Sequence, residues 1–281
     1  MDNLVSTQWL AENLGAADLA ILDASSHLPV AGRNPAQDFA KEHIPGAVFL
    51  DLPSLFDPDS EVPGAIPTPD QFAARMSALG VADGMRVVIY DDSFIKTSAR
   101  AWFILRAHGI EHLAIRDGGM PKWRAEGRPL ESGEVTAAPA AHTPAQGRAP
   151  VRTKSDMLAN LESKAEQVVD GRGPGHFTGA DPDPNPAISA GHIPFARNVM
   201  FAQVLNEDGT YKDEAGIRAA FENCGVDLSK PVVTSCGGGV VAAVLLFALE
   251  RIGKNDVALY DGSWTEWGGD PDTPKELGAG G

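Results

Sequence analysis

The sequence holds only two cysteines, Cys224 and Cys236. That excludes a disulfide framework and points to a reducing cytoplasm as the natural setting. With two cysteines, and with neither a CxxC nor an HxxxH pair read in the chain, cysteine-ligated zinc is excluded as well. Basic residues are scarce: 23 Lys and Arg stand against 38 Asp and Glu, a net charge of -15. Without a basic stripe there is nothing to release counterions from a phosphate backbone, so nucleic acid is excluded as a partner. Anionic membrane surfaces would repel the chain. No apolar run reaches the roughly 18 residues of a membrane span, and the start, Met1-Asp2-Asn3-Leu4-Val5-Ser6, lacks the basic and apolar regions of a signal peptide.

What is present is a chain that repeats itself. His43-Ile44-Pro45 returns as His192-Ile193-Pro194, Ile21-Leu22-Asp23 as Val168-Val169-Asp170, and Arg86-Val87-Val88-Ile89-Tyr90 as Pro231-Val232-Val233-Thr234-Ser235. Asp117-Gly118 with Trp123 returns as Asp261-Gly262 with Trp267, and the helical spacing of Phe72, Met76 and Leu79 returns as Ile217, Phe221 and Cys224. Five matches in one order, at offsets of 144 to 149 residues, mean two copies of one fold. The length fits two domains of roughly 100–150 residues. We expect domains over 1–130 and 151–281, joined by a surface linker over 131–150, which is rich in Ala, Pro, Gly and Thr and lacks helical periodicity.

Short apolar runs alternate with helical patterns in each copy. Leu19–Asp23, Arg86–Tyr90, Leu113–Arg116, Gln167–Asp170, Pro231–Ser235 and Asp256–Tyr260 read as buried strands. Thr68-Pro69-Asp70-Gln71 is a capping box that starts a helix. Ser98–His108 reads as a second helix, and the nearly all-apolar Val240–Arg251 as a helix buried on most sides. The alternation predicts an α/β fold, each copy a mostly parallel sheet flanked by helices, with any ligand beyond the carboxyl ends of the strands.

The copies differ at one strand end. Cys236 follows Pro231–Ser235 directly, and Gly237-Gly238-Gly239 leads into the apolar helix. Its counterpart is Asp91, in a loop with neither cysteine nor glycines, so the first copy is expected to be silent. Glycines let a ligand approach the backbone, successive amides form an anion nest, and the helix start adds positive potential. A thiol placed there is expected to have a lowered pKa and to be a nucleophilic thiolate. Cys224, in the slot of Leu79, reads as a small core hydrophobe.

These residues resemble the two-domain rhodanese family, which includes thiosulfate and 3-mercaptopyruvate sulfurtransferases. The resemblance spans nearly the whole chain. It is carried by Glu42-His43-Ile44-Pro45-Gly46-Ala47, Gly191-His192-Ile193-Pro194, Cys236-Gly237-Gly238-Gly239-Val240-Val241 and Tyr260-Asp261-Gly262-Ser263-Trp264-Thr265-Glu266-Trp267. It implies two tandem rhodanese-like domains, a silent N-terminal one and an active C-terminal one, with a site between them. It further implies sulfur transfer from a small anionic donor through a Cys236 persulfide to a thiol or cyanide, with neither metal nor cofactor. The implied substrate cradle is Gly237, Gly238, Gly239, Val240 and Val241.

Glycine after the cysteine is the habit of the mercaptopyruvate branch (C-G-S-G-V-T), whereas the thiosulfate branch carries early cations (C-R-K-G-V-T). Against the former pattern, Gly238 and Val241 replace two hydroxyl residues. His176 and Asn185 stand in the places of two arginines, and Gly64-Ala65-Ile66-Pro67 replaces H-M-L-P. A guanidinium grips a carboxylate bidentately and an imidazole does not, so the carboxylate site is expected to be altered at His176 and Asn185. His176 can equally be a solvated turn residue. His43 and His192 repeat in both copies and read as structural, as do Trp123 and Trp267; Arg172 is expected to pair with Asp170. Two other classes were weighed. A non-catalytic or weakly active sulfur-carrying or binding module fits the missing arginines. A Cys-x5-Arg phosphatase does not fit, because Ala242 stands where its arginine would be.

Overall fold

The computed structural model describes residues 1–145 and 150–280, and the chain divides into two compact units. The first runs β1 (Leu4–Val5), α1 (Thr7–Asn13), β2 (Leu19–Asp23), α2 (Pro35–Lys41), β3 (Ala47–Phe49), α3 (Pro69–Ala78), β4 (Arg86–Tyr90), α4 (Thr97–Ala107), β5 (Leu113–Arg116) and α5 (Gly119–Ala125). The second runs β6 (Val151–Arg152), α6 (Lys154–Ser163), β7 (Gln167–Asp170), α7 (Pro174–Thr178), β8 (Arg197–Asn198), α8 (Glu214–Glu222), β9 (Val232–Ser235), α9 (Val240–Arg251), β10 (Val257–Tyr260) and α10 (Ser263–Gly269). Each unit holds a five-stranded parallel sheet, in the orders β1-β5-β4-β2-β3 and β6-β10-β9-β7-β8. The two orders are one order, so the repeat in the sequence is a repeat in topology. Strands β4 and β9 lie at the centre, where the winding reverses, and this is the place at which open α/β sheets bind ligands.

Local chemistry explains the elements. Thr68 accepts from the Gln71 amide while the Gln71 side chain accepts from the Thr68 amide, completing the capping box in front of α3. Thr153 and Asp156 do the same for α6, and such caps contribute about 1 kcal/mol each. Helices α4 and α9 are buried along almost their whole length. The expected helix face Phe72, Met76 and Leu79 is buried, as are Ile217 and Phe221. Cys224 is a correction: it lies one residue past the cap of α8, half-buried, with its Sγ 3.7 Å from Gln203 Oε1, and is not part of the core.

The repeated histidines are structural. His43 Nδ1 lies 2.8 Å from Phe39 O with its ring stacked on Phe39, and His192 Nδ1 lies 2.8 Å from Phe177 O with its ring stacked on Phe177. His43 forms a two-bond antiparallel bridge with Glu131, and His192 forms the same bridge with Glu276. Trp123 and Trp267 are fully buried, their Nε1 donating to Pro129 O and Pro274 O. His108 and His112 correct one reading: they are spaced as an HxxxH pair, which the sequence analysis takes to be absent. Both ring nitrogens of His108 face carbonyls, those of Ile104 and Pro67, and among the described residues no group of three ligating side chains could hold an ion.

Residues 131–145 carry no helix or strand and lie mostly exposed; Ser77 Oγ donates to Ala140 O and the Ala140 amide returns to Ser77 O. Residues 146–149 of the expected linker lie outside the described residues. No helix among the described residues is long and apolar enough to cross a membrane.

The two units differ in how they treat the aspartate that ends the second strand. Asp170 is paired with Arg172, whereas Asp23, whose neighbour two residues on is Ser25, has no such cation there. Burial pushes the Asp23 carboxyl up to about 6, against hydrogen bonds from Ser25 and Tyr90 and with the Asp91 charge adding to the rise. A carboxyl raised on folding adds stability that is whole below about pH 4, its unfolded value, and is lost as pH climbs through about 6. Asp23→Asn should remove this dependence. Relative to the variant, the parent should lose roughly 2–3 kcal/mol of unfolding free energy between pH 4 and pH 7, read from urea titrations at each pH.

Candidate active site around Cys236

Strand β9 delivers Cys236 to the carboxyl edge of the second sheet, and α9 starts four residues later. Gly239, at φ +77, makes the left-handed turn into the helix. Gly237 and Gly238 are glycines for a different reason: a Cβ on the first would meet nothing within 4 Å, and on the second only Thr265 Oγ at 3.9 Å. Their missing side chains leave the mouth of the loop uncovered. Both are half-buried, as are Val240 and Val241, while Cys236 itself is 2% exposed. The sulfur therefore lies beneath a half-buried rim.

Main-chain amides face this sulfur. Those of Ala242, Gly238 and Gly239 hydrogen-bond it. Gly238 and Gly239 come from the glycine run; Ala242, inside the first turn of α9, is a donor that the sequence analysis did not name. Gly237, Val240 and Val241 lie half-buried beside them. The expected acidity is corrected. Burial pushes the Cys236 thiol up from its ordinary value, the Asp170 carboxylate adds to the rise, and the three amides work against both. A closed, nearly dry site disfavours the thiolate more than the amides favour it.

The loop is fastened from its far side by the start of α10. The Cys236 amide donates to Ser263 Oγ (3.2 Å), which donates to Tyr260 O (2.9 Å). The Trp264 amide donates to Cys236 O (2.9 Å), and both the amide and the hydroxyl of Thr265 donate to Gly237 O (2.8 Å each). Ser263 and Thr265 were not anticipated. Their only signal in the sequence was position, inside the block whose ends repeat and whose middle does not.

Beside the loop, Arg172 holds Asp170 through Nε and Nη2 (2.7 Å at the closest), donates to Gly191 O, and lies 4.6 Å over the Trp264 ring. The expected pairing is thus present, and the indole covers it. His176 and Asn185 are both exposed. His176 rides on the short helix α7; Asn185 closes its own turn, its side chain accepting from the Ala187 amide. Neither belongs to the hydrogen-bonded shell of Cys236.

The first unit shows the alternative content of the same cradle. Asp91 follows β4 where Cys236 follows β9, and its carboxylate accepts from the amides of Ser93 (2.9 Å) and Ser98 (2.8 Å). The nest there is filled by the protein's own anion.

Two α/β units share one parallel topology, and one of them carries a cysteine whose sulfur meets main-chain amides at the switch point. Comparison with known proteins identifies the lineage. The Rhodanese-like domain model matches residues 6–126 and 153–270. The chain is 40% identical to human 3-mercaptopyruvate sulfurtransferase over 94% of its length and 91% of that protein. It is 36% identical to the 3-mercaptopyruvate sulfurtransferase of Escherichia coli K12 over 97% of each, and 37% identical to the mitochondrial thiosulfate/3-mercaptopyruvate sulfurtransferase 1 of Arabidopsis thaliana over 97% of this chain and 78% of that one. The crystal structure of SseA from E. coli superposes with a TM-score of 0.85 at 34% identity, covering 94% of this chain and 99% of that one. The chain belongs to the rhodanese family.

Removing the guanidinium strands a buried charge. Arg172→Ala should cost about 3–5 kcal/mol of unfolding free energy, measured by denaturant titration. Asp170→Asn/Arg172→Ala should recover most of it, because the uncompensated carboxylate is gone.

Proposed function

We propose that the protein is a sulfurtransferase that carries sulfur on Cys236 as a persulfide. The observation that supports this most directly is the set of three amides on one sulfur atom. After the thiol gives its proton to solvent, the thiolate attacks the transferable sulfur of the donor, and an S–S bond forms to Cys236. With thiosulfate, the donor's S–S bond breaks and sulfite leaves with the electron pair. With 3-mercaptopyruvate, the C–S bond breaks, and the pair left on carbon takes up the thiol proton to give pyruvate. An acceptor thiolate or cyanide then removes the outer sulfur and restores the Cys236 thiolate. This is covalent catalysis in two half-reactions, and it uses neither metal nor cofactor.

The upward shift of the Cys236 thiol pKa fits this scheme. The amides are oriented for a sulfur anion in a site that burial otherwise closes to charge, so their benefit is largest in the charged forms: the attacking thiolate and the persulfide that follows. The domains we assign are 1–130, without a nucleophile, and 151–281, with Cys236, joined through 131–150; the setting we assign is the cytoplasm, although one plant relative is named as mitochondrial.

The donor is a small anion of the thiosulfate or 3-mercaptopyruvate type. With His176 and Asn185 in place of two guanidinium groups, we expect weak grip on a carboxylate, and His176→Arg should lower the Michaelis constant for 3-mercaptopyruvate while leaving that for thiosulfate in place. Equal constants before and after would remove His176 from the substrate site. Incubation with either donor should add the mass of one sulfur atom to the protein, at Cys236. Cys236→Ser should abolish both this adduct and the release of sulfide or thiocyanate, whereas Cys224→Ser should leave them intact. A parent protein that stays unmodified under both donors while Cys236 still alkylates would favour the binding-module reading.

A further inference from the structure

The two units share one fastening of the loop after the central strand and differ in two others. In both, the carbonyl of the strand-end residue accepts from the start of the last helix: Asp91 O from the Met120 amide (2.7 Å), and Cys236 O from the Trp264 amide (2.9 Å). One residue before, the backbone is left-handed in both, at φ +54 for Gly119 and φ +49 for Ser263. In the first unit this residue is a glycine whose added Cβ would stand 2.5 Å from Asp91 O. The second unit puts a serine in the same conformation, fully buried. A buried non-glycine residue at positive φ is a strained choice, and such choices persist where the side chain is needed. Here the hydroxyl takes the Cys236 amide and passes a bond on to Tyr260 O. One residue after the shared fastening, the first unit has Pro121, which owns no amide proton, and the second has Thr265, which gives two donors to Gly237 O.

A trans peptide is planar, and its C=O and N–H point in opposite directions. Drawing Gly237 O toward Thr265 therefore turns the Gly238 N–H the other way, toward the sulfur it bonds. Tying the Cys236 amide to Ser263 fixes the depth at which the residue leaves the strand.

We propose that Ser263 and Thr265 are positioning residues: they hold the Cys236–Gly238 peptides in the orientation that aims the amide nest at the sulfur. Both changes occur in the unit with the cysteine, and the Asp91 loop has neither. The inference rests on the sulfur-transfer reading for its purpose, but its test does not require that reading to hold.

The test uses the full chain carrying Cys224→Ser, so that one thiol remains, and follows the pH dependence of Cys236 alkylation by iodoacetamide. Ser263→Gly and Thr265→Val should each move the midpoint upward by about half to one pH unit, a thiolate population about 3- to 10-fold smaller at neutral pH. Thr265→Ser, which restores the hydroxyl donor, should return the parent profile; a merely structural side chain would not be rescued in this readout. Circular dichroism melting establishes that each variant is folded. Profiles of folded Ser263→Gly and Thr265→Val that superimpose on the parent would overturn the proposal. In parallel, thiosulfate and 3-mercaptopyruvate are added to the parent and the mass of one sulfur is sought. If the profiles shift as expected and no adduct forms, the positioning role stands and sulfur transfer falls. If the adduct forms equally fast in parent and variants with unmoved profiles, the positioning role falls and sulfur transfer stands.

Discussion

The structure turns on the direction of a few peptide planes. The sulfur of Cys236, a residue only 2% exposed, lies where water solvates charge poorly, and a negative charge survives there only if fixed dipoles replace the lost solvent. Three main-chain N–H groups provide them. They need no side chain, and they cost no reorganisation when the charge appears. What they need is a backbone that cannot rotate away. The central strand, the left-handed Gly239 and the start of α10 together fix it. The parallel sheet matters because it brings three carboxyl-terminal strand ends to one edge: β9 with the cysteine, β7 with the Asp170–Arg172 pair, and β10 with the turn into α10.

Duplication makes the logic visible. Both units have the strand order, the histidine stacked on phenylalanine, the glutamate bridge and the buried tryptophan that donates to a proline carbonyl. These are the parts that hold the fold. Among the places where the units part company are the loop after the central strand and the aspartate beside it, where the first unit leaves Asp23 without the guanidinium that Asp170 receives. The shared features belong to the fold, while the cysteine, its glycines, Ser263 and Thr265 are found in the second unit alone.

The fold was legible because its signals are periodic and doubled. Arg86–Tyr90, Leu113–Arg116 and Val240–Arg251 are apolar runs whose ends are marked by Gly, Asp or a cap, and they fall where expected. Cys236 was legible because cysteine after a strand and before a glycine run has few structural uses. The site's other parts were not. Ala242 carries no chemical mark, since it is an amide that acts and not its side chain. Ser263 and Thr265 act through a backbone angle and a carbonyl 28 residues away in sequence, which no local pattern encodes. The acidity of Cys236 was misjudged for a related reason: the glycines announced the dipoles, but the dryness of the site depends on the burial of the surrounding sheet and helices. Cys224 misled in the opposite sense, its helix-face spacing being correct up to the end of α8, where the face runs out.

The carboxylate of Asp91 occupies its own nest of main-chain amides. A ligand joined to its receptor by covalent bonds is present at a local concentration that no dissolved competitor approaches. Sulfate, phosphate or a sulfur-bearing anion in solution meets amides that are engaged from the moment of folding. The dipoles of this loop thereby serve as an internal rivet between the end of β4 and the first turn of α4.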